Sequence, residues 1–248
     1  MTDIDVILPL YRPHPGWDDA IVDAATCLRE NFGKRDWRLH LYLVNDGSPA
    51  SCYPAESLEK IRAAAGDFDF LGYEKNRGKG YSLRYGVAHA KGAVQVYTDA
   101  DFPFGWESVV SAAGKVLAGA DIVMGVRDHK YGEALCTMRK WISGTMRWMN
   151  RLLLGLPRRY TDTQAGLKGF NAGGRRVFLA TTTDSFLFDT EFILLGYKSG
   201  MKLDTLELHL RDGLRFSRMG MRVLLRELGH LARILWRVRV LGKTEKDE

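Results

Sequence analysis

Val96-Tyr97-Thr98-Asp99-Ala100-Asp101 joins a short apolar run, Ala93 to Tyr97, to two carboxylates spaced i, i+2. The run reads as a buried strand. Alternate residues of a strand point to one face, so Asp99 and Asp101 converge just past its carboxyl end. That is where open α/β sheets place ligands. Two hard oxygen donors there suit Mg²⁺ or Mn²⁺, which keep waters and take the rest of their shell from substrate phosphates. Asp-Ala-Asp can equally be a plain polar loop, and the rest of the chain has to decide between the two.

The 248 residues are enough for one sizeable α/β core, and the 46% apolar content is that of a globular protein. A net charge of +6 and a pI near 9.2 favour acidic partners: nucleic acid, sugar nucleotides or anionic lipid heads. No helix-turn-helix, aromatic RNA platform or zinc motif supports nucleic acid, so no nucleic-acid partner is expected. Cys27, Cys52 and Cys136 are odd in number and widely spaced, which predicts neither a disulfide framework nor a metal site and points to a reducing compartment. The acidic start, Met1 to Asp5, runs into a strand and does not have the pattern of a signal peptide. No run of about 18 apolar residues predicts a membrane span.

Outward from the central stretch, strands and helices alternate. Strands are predicted over Ile4 to Leu10, Leu39 to Val44, Phe68 to Tyr73, Ala93 to Tyr97 and Asp121 to Val126. Helices are predicted over Asp18 to Asn31, Ala55 to Ala65, Tyr81 to Ala90 and Trp106 to Leu117. This alternation implies a mostly parallel sheet flanked by helices, with right-handed crossovers. Parallel strands bring their carboxyl ends to one edge. Tyr11, Asp46, Asn76 to Gly80, Asp99 with Asp101, and Arg127 would therefore share that edge, as expected of a nucleotide site. In Asn76-Arg77-Gly78-Lys79-Gly80, the glycines allow close backbone approach and Lys79 stands at a helix start, where an anion is welcome. The loop lacks the phosphate-loop pattern, and the first strand ends in Pro9-Leu10-Tyr11-Arg12-Pro13 rather than a dinucleotide Gly-x-Gly-x-x-Gly.

The second half changes character. Ala134 to Leu154 reads as a helix rich in Met, Trp, Leu and Arg. Thr161 to Gly166 precedes a short strand, Leu167 to Phe170, and Asp162 with Gln164 reads either as a second wall of the site or as a turn. A helix opens at Phe186 to Glu191, a strand runs from Lys202 to Leu210, and a basic loop follows. In Met219 to Leu241, the residues Leu224, Leu228, Leu231, Leu235 and Val238 form one stripe, with Arg222, Arg226, Arg233 and Arg237 opposite. That helix either packs on the sheet or lies in a membrane interface with Trp236 among its anchors. A core of residues 1–218 and a basic amphipathic helix with charged tail, 219–248, are the expected units.

Taken together, the landmarks resemble a known family. They are Leu8-Pro9-Leu10-Tyr11, Val44 to Ser48, Asn76 to Gly80, Thr98 to Asp101, Met124 to Arg127, Arg139 and Ser143, Asp162 to Phe170, and Phe188 to Glu191. In this order they resemble the inverting family-two glycosyltransferases of GT-A (Rossmann-like) fold. The branch most similar is that of dolichyl-phosphate mannose synthases and polyprenyl-phosphate glycosyltransferases.

The resemblance implies transfer of a hexose from a GDP- or UDP-sugar to a polyprenyl or dolichyl phosphate, with Mg²⁺ or Mn²⁺ as cofactor. It implies that Pro9, Tyr11 and Asp46 hold base and ribose. Lys79, Asp99, Ala100, Asp101 and Arg127 would hold the remainder of the nucleotide sugar, with Asp99 and Asp101 at the metal. Arg139, Ser143 and Arg218 would surround phosphates of donor or acceptor. Asp101, Asp162 and Gln164 are the expected catalytic residues. The enzyme would be cytoplasmic and peripheral on the cytoplasmic face of the membrane, held through its basic amphipathic helices. Two positions depart from the family pattern: Asn45 where an acid is common, and Pro103 where many relatives carry a metal-supporting Gln. They leave open a non-lipid acceptor, or a catalytically silent nucleotide-sugar binder.

Overall fold

The computed structural model describes residues 1–127, 151, 154–185 and 187–211. The helix expected over Ala134 to Leu154 lies almost wholly outside the described residues, and the one expected over Met219 to Leu241 lies outside them altogether.

Seven strands form one sheet in the order β3-β2-β1-β4-β6-β5-β7. They are β1 (Thr2–Leu10), β2 (Trp37–Asp46), β3 (Asp67–Tyr73), β4 (Val94–Tyr97), β5 (Ile122–Arg127), β6 (Lys168–Phe170) and β7 (Leu203–Leu208). All neighbouring pairs are parallel except those made by β6, which runs antiparallel between β4 and β5. This is the expected mostly parallel α/β sheet, with one reversed strand whose polarity the sequence did not show. Pairing of β1 to β4 stops at Ile7, so Pro9, which has no N–H to donate, leaves no rung open on that side.

The strand alternation builds a core on each face. Ile4, Val6 and Leu8 point to one side with Leu41, Leu43, Val94, Val96 and Val123. There they meet α1 (Trp17–Gly33), α2 (Ala55–Ala65) and α4 (Gly105–Leu117) through residues such as Leu28, Phe32, Ile61 and Val109. Ile7, Val44, Tyr97, Met124 and Phe170 point to the other side. They pack on α3 (Lys79–His89), α5 (Ala172–Leu179) and α6 (Phe188–Lys198) through Leu83, Val87, Phe178, Phe188 and Phe192. Period two in the strands, matched by apolar stripes on the helices, is sufficient to specify this three-layer arrangement.

Helix α5 was not foreseen. Gly173 and Gly174 weaken its helical pattern, but the Asn171 side chain accepts hydrogen bonds from both glycine N–H groups and starts the helix. Helix α3 starts at Lys79, two residues before the expected Tyr81.

Candidate active site

A cleft of about 740 Å³ opens at the carboxyl edge of the sheet. The β1–α1 loop from Pro9 to Trp17 forms one wall, the Asp99 to Phe104 turn its floor, and Arg127 with Gln164 to Gly166 the far wall. The antiparallel course of β6 explains that far wall. Lys168 pairs with Tyr97, so the segment that precedes β6 emerges at the same edge as the end of β4. A parallel β6 would have sent residues 162–166 to the opposite edge.

Asp99 and Asp101 sit on a tight turn. Phe102 N–H donates to the Asp99 carbonyl at 3.0 Å, and Phe102, only 1% exposed, takes a left-handed φ of 45°. Arg12, also on the cleft wall, has φ 46° and donates its N–H to Ser48 Oγ at 2.8 Å. Two of the three non-glycine residues at positive φ among the described residues thus flank this cleft, where backbone strain commonly serves function.

The mass of protein around Asp101, then the neighbouring Asp99, raise its carboxyl above the ordinary range. Lys79 Nζ donates to Asp99 Oδ1. Burial opposes the Lys79 charge, but Asp99, Asp189 and Asp101 outweigh it and hold the ammonium above the usual lysine range. Two carboxylates brought together in one cleft are hard oxygen donors, so the donor chemistry fits Mg²⁺ or Mn²⁺. Among the described residues no group of three or more His, Cys, Asp or Glu is arranged to hold a metal. Asp99 and Asp101 are the residues that would hold such an ion, which usually keeps several waters.

Of the residues singled out in the sequence, Pro9, Tyr11, Asp99, Ala100, Asp101, Arg127 and Gln164 line the cleft together. Asp162 stands behind them. Its carboxylate accepts the Arg127 backbone N–H at 2.8 Å and the Arg127 Nε at 3.1 Å, and it pairs with Nη2. It therefore orients Arg127. Arg139, Ser143 and Arg218 lie outside the described residues.

Two groups expected to face a ligand have close partners within the chain. Asp46 was expected on the base and ribose, yet its own chain engages its carboxylate. Tyr73 Oη, Asn76 Nδ2 and the Arg77 N–H donate to it at 2.8 Å each, and the Gly78 N–H at 3.1 Å. Asp46 therefore shapes the 76–78 loop. The glycines of that loop were expected to admit an anion to the backbone. A Cβ on Gly78 would come within 2.6 Å of the Asp184 carbonyl, and one on Gly80 would strike that of Thr183. The close approach is to the chain itself, and the anion that Lys79 meets is Asp99.

Asn45 likewise serves the turn. Its Oδ1 accepts the Ser48 N–H at 2.7 Å and Tyr53 Oη at 3.1 Å, while its Nδ2 donates to the Ser48 carbonyl at 3.0 Å. An aspartate could not make the last bond.

Three residues given no role in the sequence carry the far wall. Lys168 is fully buried, Asp189 is 5% exposed, and Nζ to Oδ1 is 2.7 Å. Thr190 Oγ1 lies 2.7 Å from Thr163 Oγ1 and accepts Gln164 Nε2 at 3.2 Å. The available signal was a lysine inside the apolar run Leu167 to Phe170 and a carboxylate inside the apolar opening of α6. A buried charge requires a partner.

The family model described as glycosyl transferase family 2 matches residues 6–182. The dolichyl-phosphate beta-glucosyltransferase of Saccharomyces cerevisiae is 24% identical over 230 residues, 85% of this chain and 68% of that protein. The protein of the same name from Drosophila melanogaster is 25% identical over 218 residues, 84% of this chain and 66% of its own length. Among solved structures, glucosyl-3-phosphoglycerate synthase from Mycobacterium tuberculosis, with Mn²⁺, UDP and phosphoglyceric acid, superimposes with a TM-score of 0.63. It is 15% identical, with 94% of this chain and 75% of that one covered. Mannosyl-3-phosphoglycerate synthase from Rubrobacter xylanophilus gives 0.67 at 14% identity, covering 98% and 75%. These two likenesses establish a shared fold.

Proposed function

This chain belongs to glycosyl transferase family 2, and from that premise we propose that it moves a hexosyl group, glucose first among candidates, from a nucleotide sugar to a polyprenyl phosphate. The observation that carries the reading is the cleft itself. It sets two carboxylates on its floor against an asparate-oriented arginine and an amide on its far wall. A diphosphate and a second anionic reactant need that mixture. The acceptor class is supported by the dolichyl-phosphate relatives, and a UDP donor by the UDP-bound structures of the same fold. The basic amphipathic pattern of Met219 to Leu241 supports delivery to an anionic membrane surface. No helix among the described residues is long and apolar enough to cross a membrane.

In this reading the sugar lies between Asp101 and Gln164, with the nucleotide along the Pro9 to Trp17 wall. Asp99 and Asp101 would hold Mg²⁺ or Mn²⁺, which neutralises charge on the departing nucleoside diphosphate. A phosphate oxygen of the acceptor forms the new bond to the anomeric carbon as the bond to the diphosphate breaks. One displacement inverts the configuration. A lipid phosphate is already anionic at neutral pH, so positioning and charge stabilisation do most of the work. Arg127, fixed by Asp162, is placed for the phosphate oxygens. The test is UDP-glucose labelled in the sugar, a short polyprenyl phosphate and Mg²⁺ or Mn²⁺, followed by organic extraction. Labelled lipid is expected. Nucleoside diphosphate released without labelled lipid would overturn the acceptor, and donor bound without turnover would overturn the transferase reading.

A further inference from the structure

Lys168 donates to three acceptors and is sealed from solvent. They are Asp189 Oδ1 at 2.7 Å, the Thr163 carbonyl at 2.6 Å and the Ala165 carbonyl at 2.5 Å. Asp189 Oδ1 also accepts the Tyr97 hydroxyl, two residues before Asp99. Thr163 and Ala165 bracket Gln164, the amide on the cleft wall. Gly166 follows, so close to Asp99 that a Cβ there would strike Oδ2. Hydrogen bonds thus run without a break from the end of β4, through Asp189 and Lys168, to the carbonyls of both residues that flank Gln164.

A leucine or methionine would fill the Lys168 site without the desolvation that a buried ammonium suffers, and buried ion pairs often exchange for apolar residues at no loss of stability. Burial presses the Lys168 pKa downward, with Asp189 opposing it. What an apolar residue could not do is bind the Thr163 and Ala165 carbonyls, two residues apart on one irregular loop. We propose that Lys168, with Asp189 and Tyr97, is a positioning group for glycosyl transfer. It locks the 163–166 wall against the Asp99–Asp101 turn, and it sets Gln164 for the transition state rather than for donor binding. The transfer part of the proposal rests on the function proposed above.

The test compares Lys168→Met with the doubly apolar Lys168→Met/Asp189→Leu, which leaves no unpaired buried charge and keeps a folded protein available if the single variant unfolds. Hydrogen exchange of the peptide spanning 161–167 is expected to quicken at least tenfold in both variants, with exchange in β1 and β2 unchanged. Turnover with UDP-glucose and polyprenyl phosphate is expected to fall about 10²-fold in kcat, with the donor KM within about threefold of wild type. Wild-type exchange and kcat in the folded double variant would overturn the proposal, as would a loss confined to donor KM. Wild-type protein inactive toward polyprenyl phosphate would sink the acceptor reading alone, because the exchange measurement still decides whether Lys168 locks the wall.

Discussion

Two lysine–aspartate pairs adjoin the end of β4, and they are built differently. Lys79–Asp99 is half open, with side chains 21% and 39% exposed. Lys168–Asp189 is closed, at 0% and 5%. The open pair lies beside the cleft, where Asp99 keeps access to solvent although Lys79 is largely covered. The closed pair lies behind the opposite wall, where low dielectric and three good acceptors make the geometry rigid. Arg127–Asp162 falls between them at 12% and 9%. Burial is thus graded across the cleft, from the half-open pair beside the Asp99–Asp101 turn to the closed pair behind the far wall.

The comparison breaks most easily at the open side. Asp101→Asn should lower turnover by on the order of 10³-fold with the melting temperature unchanged, and chelation of divalent ions should imitate it. Steady-state kinetics beside a thermal melt decide this. A variant that keeps near-native turnover would remove Asp101 from the site.

The next effect tests the intermediate pair. Arg127→Met leaves the Asp162 carboxylate buried without its main partner and should cost about 3 kcal/mol in chemical denaturation. A cost near zero would mean that water reaches Asp162 and the wall is not closed there. At the open pair, Lys79→Met should change stability by less than about 1 kcal/mol, since a half-exposed pair is worth little. It should nevertheless alter donor affinity by freeing Asp99. Equal stability losses from Lys79→Met and Arg127→Met would erase the gradient.

The smallest effect lies outside the cleft and serves as a baseline. The N–H of Lys202 first, then Asn171, hold the Asp121 carboxyl below its usual value of 3.8. A depressed pKa in the fold means stability present above the unfolded value and lost as pH falls through the folded one. The stability difference between wild type and Asp121→Asn should therefore be full at neutral pH and shrink below about pH 4. Urea melts at the two pH values measure it.

Much of the fold was legible because its signals are local. Apolar runs such as Ile4 to Leu8 and Leu39 to Val44, separated by helical periodicity, require a parallel sheet, and a parallel sheet collects its carboxyl ends. Tyr11, Asp99, Asp101 and Arg127 were placed at the cleft edge in that way. Asp46 and the glycines at 78 and 80 were assigned to that edge, but their contacts within the chain were not foreseen. A carboxylate or a glycine in sequence does not say whether ligand or chain will occupy the space beside it. Helix α5 escaped because two glycines diluted its pattern and its start depends on one side-chain cap.

By itself, then, the sequence determined the strand and helix alternation, the family resemblance and the carboxylate pair at the end of β4, each read from short local stretches or from their order along the chain. The tertiary structure alone decided the reversed direction of β6, which brings residues 162–166 to the cleft. It alone decided that Lys168 meets Asp189, 21 positions away in the chain. Strand polarity and long-range charge pairing depend on which elements become neighbours. That choice is made by packing the whole core, and no short stretch of chain contains it.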